Sequence, residues 1–290
     1  MLKRLVPGFV KNRLDRYLRK RFTYVDTSVP YQINQIDGNQ RLKGQIAIVT
    51  GGSGVIGRSI ACRLAVEGAK VYVFGTTVEK AEAVVEDIKG LNGTAVAGKI
   101  DLSSEQDIIA QIAKIAKADG KIDILVNSAG GSSRDKNSSI DKLSTEVIDN
   151  ILNVNLRGTM LCCREVSKYM LERKSGRIIC ITSVIGEKGK ANFSEYAAAK
   201  AGIIAFVKSI AMELGPNGIR VNCVSPGIVQ RGLINEEQIE KIKKTNYLND
   251  YGKPEDIANM TSFLVTNEAE FITGQNFIVD GGRSLGLKGD

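Results

Sequence analysis

The sequence predicts a doubly wound α/β fold built on one parallel sheet, and three observations carry that expectation. Short apolar runs of strand length alternate with amphipathic helical stretches from Leu42 almost to the C-terminus. A glycine-rich turn follows the first run and opens the first helix. Small and polar residues (Gly51, Asp101, Asn127, Ser183, Gly227) gather at the C-terminal ends of the runs, the edge where open parallel sheets bind ligands.

Composition limits the chemistry. The 290 residues fit one large α/β domain or two small ones, and a hydrophobic content of 43% is enough for a full core. No apolar run approaches the roughly 20 residues of a membrane-spanning helix. Five cysteines, an odd number without a CxxC, predict reduced thiols in a cytoplasmic compartment. Histidine is absent, which excludes Ser-His-Asp and Cys-His catalysis and any imidazole metal site. Acid–base chemistry then falls to Tyr, Lys, Asp, Glu or Cys, and no metal site is expected.

The net charge of +8 is uneven. Residues 1–43 hold ten Lys/Arg against three Asp/Glu, while the remainder holds 30 against 29. A nucleic-acid groove would need the excess on the folded domain, so no nucleic-acid partner is expected. The chain divides into a basic N-terminal extension and linker (1–41) and a single catalytic domain (42–290). Leu14, Tyr17, Leu18 and Phe22 recur at helical spacing among basic residues. Residues 1–22 therefore predict an amphipathic helix for peripheral membrane or protein contact, with a solvated extension or a targeting peptide as alternatives.

The elements follow in order. Gln45–Val49 is a strand, and Ile56, Ile60 and Leu64 mark one face of a helix closed by Gly68. Val71–Phe74 completes a βαβ unit. Between them, Gly52-x-Gly54-x-x-Gly57 matches the dinucleotide fingerprint in its proper setting, after a strand and opening a helix. Backbone N–H groups at such a helix start bind a pyrophosphate. Helices are expected over Glu79–Lys89, Ser104–Asp119, Ser144–Met170, Ser194–Leu214 and Pro254–Val265. Strands are expected over Gly93–Ile100, Ile122–Val126, Gly176–Ile181, Ile219–Val224 and Phe277–Val279.

Tyr196 and Lys200 lie four residues apart on one of these helices, so they share a face one turn apart. A fixed ammonium beside a phenol favours the phenolate and turns a weak acid into a usable one. Of the eight tyrosines, Tyr196 alone has Lys at this offset.

Residues 42–283 resemble the short-chain dehydrogenase/reductase family, which has a Rossmann fold. The carriers are Thr50–Gly57, Asp101-Leu102, Asn127-Ser128-Ala129-Gly130, Asn155, Ser183, Tyr196-x3-Lys200 and Pro226-Gly227. Ser183 stands 13 residues before Tyr196, the family's usual separation. The resemblance implies that Tyr196 exchanges a proton with the substrate oxygen and that Ser183 hydrogen-bonds that oxygen. Lys200 would tune Tyr196 and hold the nicotinamide ribose, and Asn155 would anchor a water behind it. The cofactor would lie against Gly51, Ser53, Gly54, Val55, Ile56, Gly57, Thr76, Asp101, Leu102, Asn127, Ala129, Gly130, Pro226, Gly227 and Val229, besides Tyr196 and Lys200. Overall similarity is greatest to the 3-oxoacyl-carrier-protein reductase type. Relatives are mostly tetramers built on the Ser144–Met170 and Ser194–Leu214 helices, so a homo-oligomer, tetramer or dimer, is expected.

Three departures from the family pattern stand out. Val55 occupies the middle glycine position of the short-form turn, while Gly54 precedes it. The second strand ends in Phe74-Gly75-Thr76-Thr77 with no acidic residue to take the ribose hydroxyls, so NADP is expected over NAD, with Arg58 as a weaker helper. Arg231 stands where the family often has Thr, and Leu233–Gly252 is expected to form a charged substrate lid. The leading expectation is an oxidoreductase passing a hydride between nicotinamide and a small-molecule carbonyl or secondary alcohol. The alternative is a dinucleotide-binding scaffold tethered through the basic extension.

Overall fold

Strands with no exposed face need cover on both sides, and that requirement shapes this molecule. The computed structural model describes residues 40–132, 139–229 and 236–286. The expected helix within residues 1–22 and the position of Arg231 lie outside the described residues. Seven parallel strands form one sheet: β1 (Ile46–Thr50), β2 (Lys70–Gly75), β3 (Thr94–Lys99), β4 (Ile124–Asn127), β5 (Gly176–Ile181), β6 (Ile219–Pro226) and β7 (Asn276–Val279). Their order is β3-β2-β1-β4-β5-β6-β7. Chain direction across the sheet reverses between β1 and β4, and a crevice opens at such a switch point. Every residue of β1 and β4 is buried.

Helices α1 (Val55–Val66), α2 (Val78–Gly90) and α9 (Pro254–Val265) contribute Ile60, Leu64, Val84, Ile88, Ile257 and Leu264 to a core on one face. Helices α3 (Glu105–Asp119), α5 (Gly158–Arg173) and α7 (Ser194–Leu214) bury Ile108, Ile112, Val166, Met170, Ile203 and Val207 on the other. Three short helices complete the set: α4 (Thr145–Ile151), α6 (Val184–Lys188) and α8 (Glu236–Lys243). The last lies in the segment expected as a charged lid. Among the described residues, no helix is long and apolar enough to cross a membrane. The five cysteines are unpaired, and burial pushes the Cys162 thiol up to about 12.

The helix expected over Ser144–Met170 runs from Thr145 to Arg173 and carries one irregular turn. Between α4 and α5, residues Leu152–Arg157 form a π turn, in which the Gly158 N–H reaches back five residues to the Asn153 carbonyl. Buried positions Val147, Ile151, Asn155 and Thr159 keep a four-residue spacing through this turn. Asn155 sits inside the turn, and its side-chain amide donates to the Ile151 carbonyl at 3.0 Å.

The start of the domain is tied down by one buried carboxylate. Glu67, at the end of α1, accepts from Arg41 at 2.8 Å and from Ser262 of α9 at 2.8 Å, and it also pairs with Arg63. Burial pushes the Glu67 carboxyl up, but hydrogen bonds from Arg41, Ser262 and Arg63 outweigh it and hold the group below the ordinary carboxylate range. Its folded-state pKa thus lies below its unfolded value. The stabilisation is complete above the unfolded value and is lost as pH falls through the folded one. Glu67→Ala is expected to cost about 2–3 kcal/mol at pH 7, somewhat under a fully buried pair because Arg63 is half in water. Urea denaturation of both proteins checks this, and the gap narrows as pH falls below the ordinary carboxylate range and through the depressed Glu67 value.

Candidate functional site: a cleft at the sheet switch point

After β1 the backbone turns so tightly that side chains are excluded. Gly51 has φ of +65°, and a Cβ there would lie 2.5 Å from the Ala129 Cα. A Cβ on Gly57 would lie 2.1 Å from the Gly51 carbonyl oxygen. The first turn of α1 therefore crosses directly over the strand exit. Gly54 caps α1 without a side-chain hydrogen bond, and no acidic residue occupies the first helical turn. The free N–H groups and the positive end of the helix dipole face open space. Val55 is half exposed beside them, so its side chain is accommodated by pointing away from the crossing.

Across the switch point, the exits of β5 and β6 carry the polar groups. Ser183 follows β5 and caps α6, its hydroxyl accepting from the Ile185 N–H at 3.2 Å. Gly186 lies so close to α7 that a Cβ would meet the Lys200 backbone at 2.8 Å, which sets α6 against α7. On α7, Lys200 is buried and donates to the Ile181 carbonyl at 3.0 Å. Its ammonium lies 5.6 Å from the centre of the Tyr196 ring. Asn155 comes up from the π turn: besides Ile151, its amide donates to the Gly131 carbonyl at 3.2 Å. Its Oδ1 is buried without a hydrogen-bond partner among the described residues. Gly130, with φ of +124°, leaves the space that Oδ1 occupies; a Cβ there would come within 2.3 Å of it.

A cavity of about 640 Å³ joins these two regions. Gly51, Gly54, Val55, Ile56 and Gly57 line one end, and Ser183, Tyr196, Lys200, Pro226, Gly227 and Val229 line the other, with Gly130 between. Other expected residues stand off the cavity. Ser53 packs against Gly75, Thr76 is exposed past β2, and Leu102 is buried against Gly158. Asp101 is exposed past β3; hydrogen bonds from the Ser103 hydroxyl and N–H hold its carboxyl below the usual range. Asn127 points into the core, where its amide meets the Cys163 thiol at 3.3 Å and the Cys180 thiol at 3.7 Å. Ala129 braces the turn rather than the cavity.

Several lining residues were not expected from the sequence: Ser132, Ile185, Lys190, Phe193 and Arg283; Ile242 comes from the segment expected as a lid. Lys190 sits 4.3 Å from the centre of the Phe193 ring. Ile242 and Arg283 arrive from distant segments, and no spacing rule ties them to the turn. Their shared sequence signal is that both lie after strand exits on the ligand edge.

The cleft fits a dinucleotide on its own geometry. It offers a side-chain-free backbone crossing, an uncapped helix start free of carboxylates, an orphaned Asn155 oxygen against Gly130, and a buried Lys200 ammonium. Comparison with known proteins agrees. A family model described as enoyl-(acyl carrier protein) reductase matches residues 52–284. A 3-oxoacyl-[acyl-carrier-protein] reductase of Synechocystis sp. is 39% identical over 243 residues, 83% of this chain and 97% of the relative. A protein of the same description from Aquifex aeolicus is 38% identical over 246 residues, 83% of this chain and 98% of the relative. Among solved structures, one described as ribose-5-phosphate isomerase from Brucella melitensis 16M superposes with a TM-score of 0.76 at 32% identity, covering 84% of this chain and 93% of that one.

The chain belongs to the short-chain dehydrogenase/reductase family. It is an NAD(P)-dependent oxidoreductase acting on carbonyl and CH–OH groups, and the scaffold alternative gives way to this reading. The crossing at Gly57 supplies a test. Gly57→Ala is expected to weaken NAD(P)H binding at least tenfold, read by the change in nucleotide fluorescence. The added methyl must push the helix start off the Gly51 carbonyl.

Proposed function

We propose that this protein is an NADPH-preferring reductase of 3-oxoacyl thioesters. The observation that carries the reading is one cavity with Ser183, Tyr196 and Lys200 at one end and a bare helix start at the other. When bound, the nicotinamide supplies the hydride for the substrate carbonyl carbon. Gly51–Gly57 and the α1 N-terminus hold the cofactor pyrophosphate, and Pro226, Gly227 and Val229 shape the nicotinamide wall.

Tyr196 donates its phenolic proton to the carbonyl oxygen as negative charge develops there. Ser183 donates a hydrogen bond to the same oxygen and fixes its direction. Lys200 stabilises the resulting phenolate by its charge, held in place through the Ile181 carbonyl. Asn155 turns its open Oδ1 towards a water that returns the proton from solvent.

Thr76 and Thr77, exposed after β2, offer hydroxyls to a 2′-phosphate where an acidic residue would repel it. Arg58 pairs with Asp87 at 2.8 Å, an exposed contact of little worth that a phosphate can replace. The substrate class rests on the relatives' descriptions and on the apolar wall of Ile185, Phe193 and Ile242. We place the enzyme in the cytoplasm as a homo-oligomer. Residues 1–22 serve as a separate peripheral contact for a membrane or protein.

Two measurements test this reading. Tyr196→Phe is expected to lower kcat by about 10²–10⁴ while NADPH still binds, because only the proton donor is lost. Retained turnover would sink the mechanism. With a 3-oxoacyl thioester, kcat/KM is expected to be at least tenfold higher with NADPH than with NADH. A preference for NADH would contradict the reading of Thr76 and Thr77.

A further inference from the structure

A directed chain of hydrogen bonds runs along the ligand edge behind Ser183. Thr182 and Ser225, at the exits of β5 and β6, are buried, and their hydroxyl oxygens lie 2.6 Å apart. The Ser225 hydroxyl lies 2.8 Å from Oδ1 of Asn276, the first residue of β7. The Asn276 amide donates to the exposed Glu187 carboxylate at 2.6 Å, the solvent-facing end of a chain that is buried at Thr182 and Ser225. Glu187 belongs to α6, the helix that Ser183 caps. The chain thus leaves the β5 exit at Thr182, crosses β6 and β7, and returns to α6 at Glu187. Ser183 lies inside the segment it closes.

The polarity of this chain follows from its end. A carboxylate accepts only, so the Asn276 NH₂ must face Glu187 and its carbonyl must face Ser225. Ser225 then donates to Asn276, and the Thr182 hydroxyl proton faces both Ser225 and the Val224 carbonyl, the latter at 3.1 Å. Reversing any one link leaves two acceptors or two donors face to face. We infer that the Glu187–Asn276 pair is a positioning clamp that fixes the Thr182–Glu187 segment, and with it the direction of the Ser183 hydroxyl, for the carbonyl reduction. Neither residue lines the cavity or touches the reacting atoms. The inference rests on the catalytic reading of Ser183 given above.

The test uses polarity rather than simple deletion. In Asn276→Asp the donor is lost and a carboxylate faces Glu187, so kcat is expected to fall about tenfold or more. KM for NADPH should be unchanged, since the turn at Gly51–Gly57 is untouched. In the double variant Asn276→Asp with Glu187→Gln, the new amide donates to the new carboxylate, whose other oxygen still accepts from Ser225. The double variant is expected to recover to within about threefold of the parent. Full turnover in Asn276→Asp overturns the clamp, and so does a folded double variant that stays as slow as the single one. If Asn276→Asp does not fold, Glu187→Ala takes its place: an unchanged kcat there overturns the clamp, and a loss at unchanged Tm supports it. Ser183→Ala is measured alongside. Full turnover in that variant defeats the site reading itself, whereas loss there with full turnover in Asn276→Asp defeats only the clamp.

Discussion

Everything at the ligand edge depends on a backbone crossing that leaves no room for a side chain. The first turn of α1 passes over the exit of β1 so closely that a methyl on Gly57 would overlap the Gly51 carbonyl. On its other side, Gly51 is pressed against Ala129 after β4. The two halves of the sheet are therefore locked together at the point where chain direction reverses. That lock fixes the uncapped helix start relative to the exits of β4, β5 and β6. The cavity is a consequence of it: close packing behind the turn leaves open space in front.

The polar end of the cavity is assembled by a different device, in which Lys200, Asn155 and Ser183 each hold a backbone group. Lys200 is anchored on the Ile181 carbonyl, Asn155 on those of Ile151 and Gly131, and Ser183 on the Ile185 N–H. Backbone partners move only if a strand or helix moves, so the array is preorganised. The π turn belongs to the same device. An uninterrupted α-helix from Thr145 to Arg173 would present Asn155 differently. The wider turn swings it towards Gly130, where the absence of a Cβ admits its oxygen.

Much of this was legible in the sequence, and the reasons are local. Strand and helix order followed from apolar periodicity, because parallel strands covered on both faces read as short unbroken apolar runs. Helix α7 matched its expected span, Ser194–Leu214, and β5 matched Gly176–Ile181. The Tyr196–Lys200 pair was visible because helical spacing is itself geometric. The π turn was not visible, since the buried positions Val147, Ile151, Asn155 and Thr159 run through it at ordinary helical spacing. Neither was the inward turn of Asn127 onto two thiols, which depends on a partner 36 residues away. Lys190, Phe193 and Arg283 escaped for the same reason: they reach the cavity through tertiary packing, and no local pattern marks them. The Glu187–Asn276 contact spans 89 residues and joins a helix of five residues to an edge strand. Such a link is a property of the folded sheet alone.

The central claim is that this cleft moves a hydride onto a carbonyl carbon. The most direct measurement is isotope transfer from NADPH deuterated at nicotinamide C4, on the face the enzyme uses, to a 3-oxoacyl thioester, read by mass spectrometry of the product. The account predicts a 3-hydroxyacyl thioester carrying one deuterium at C3. A product without deuterium, or NADPH left unoxidised in the presence of substrate, would contradict it.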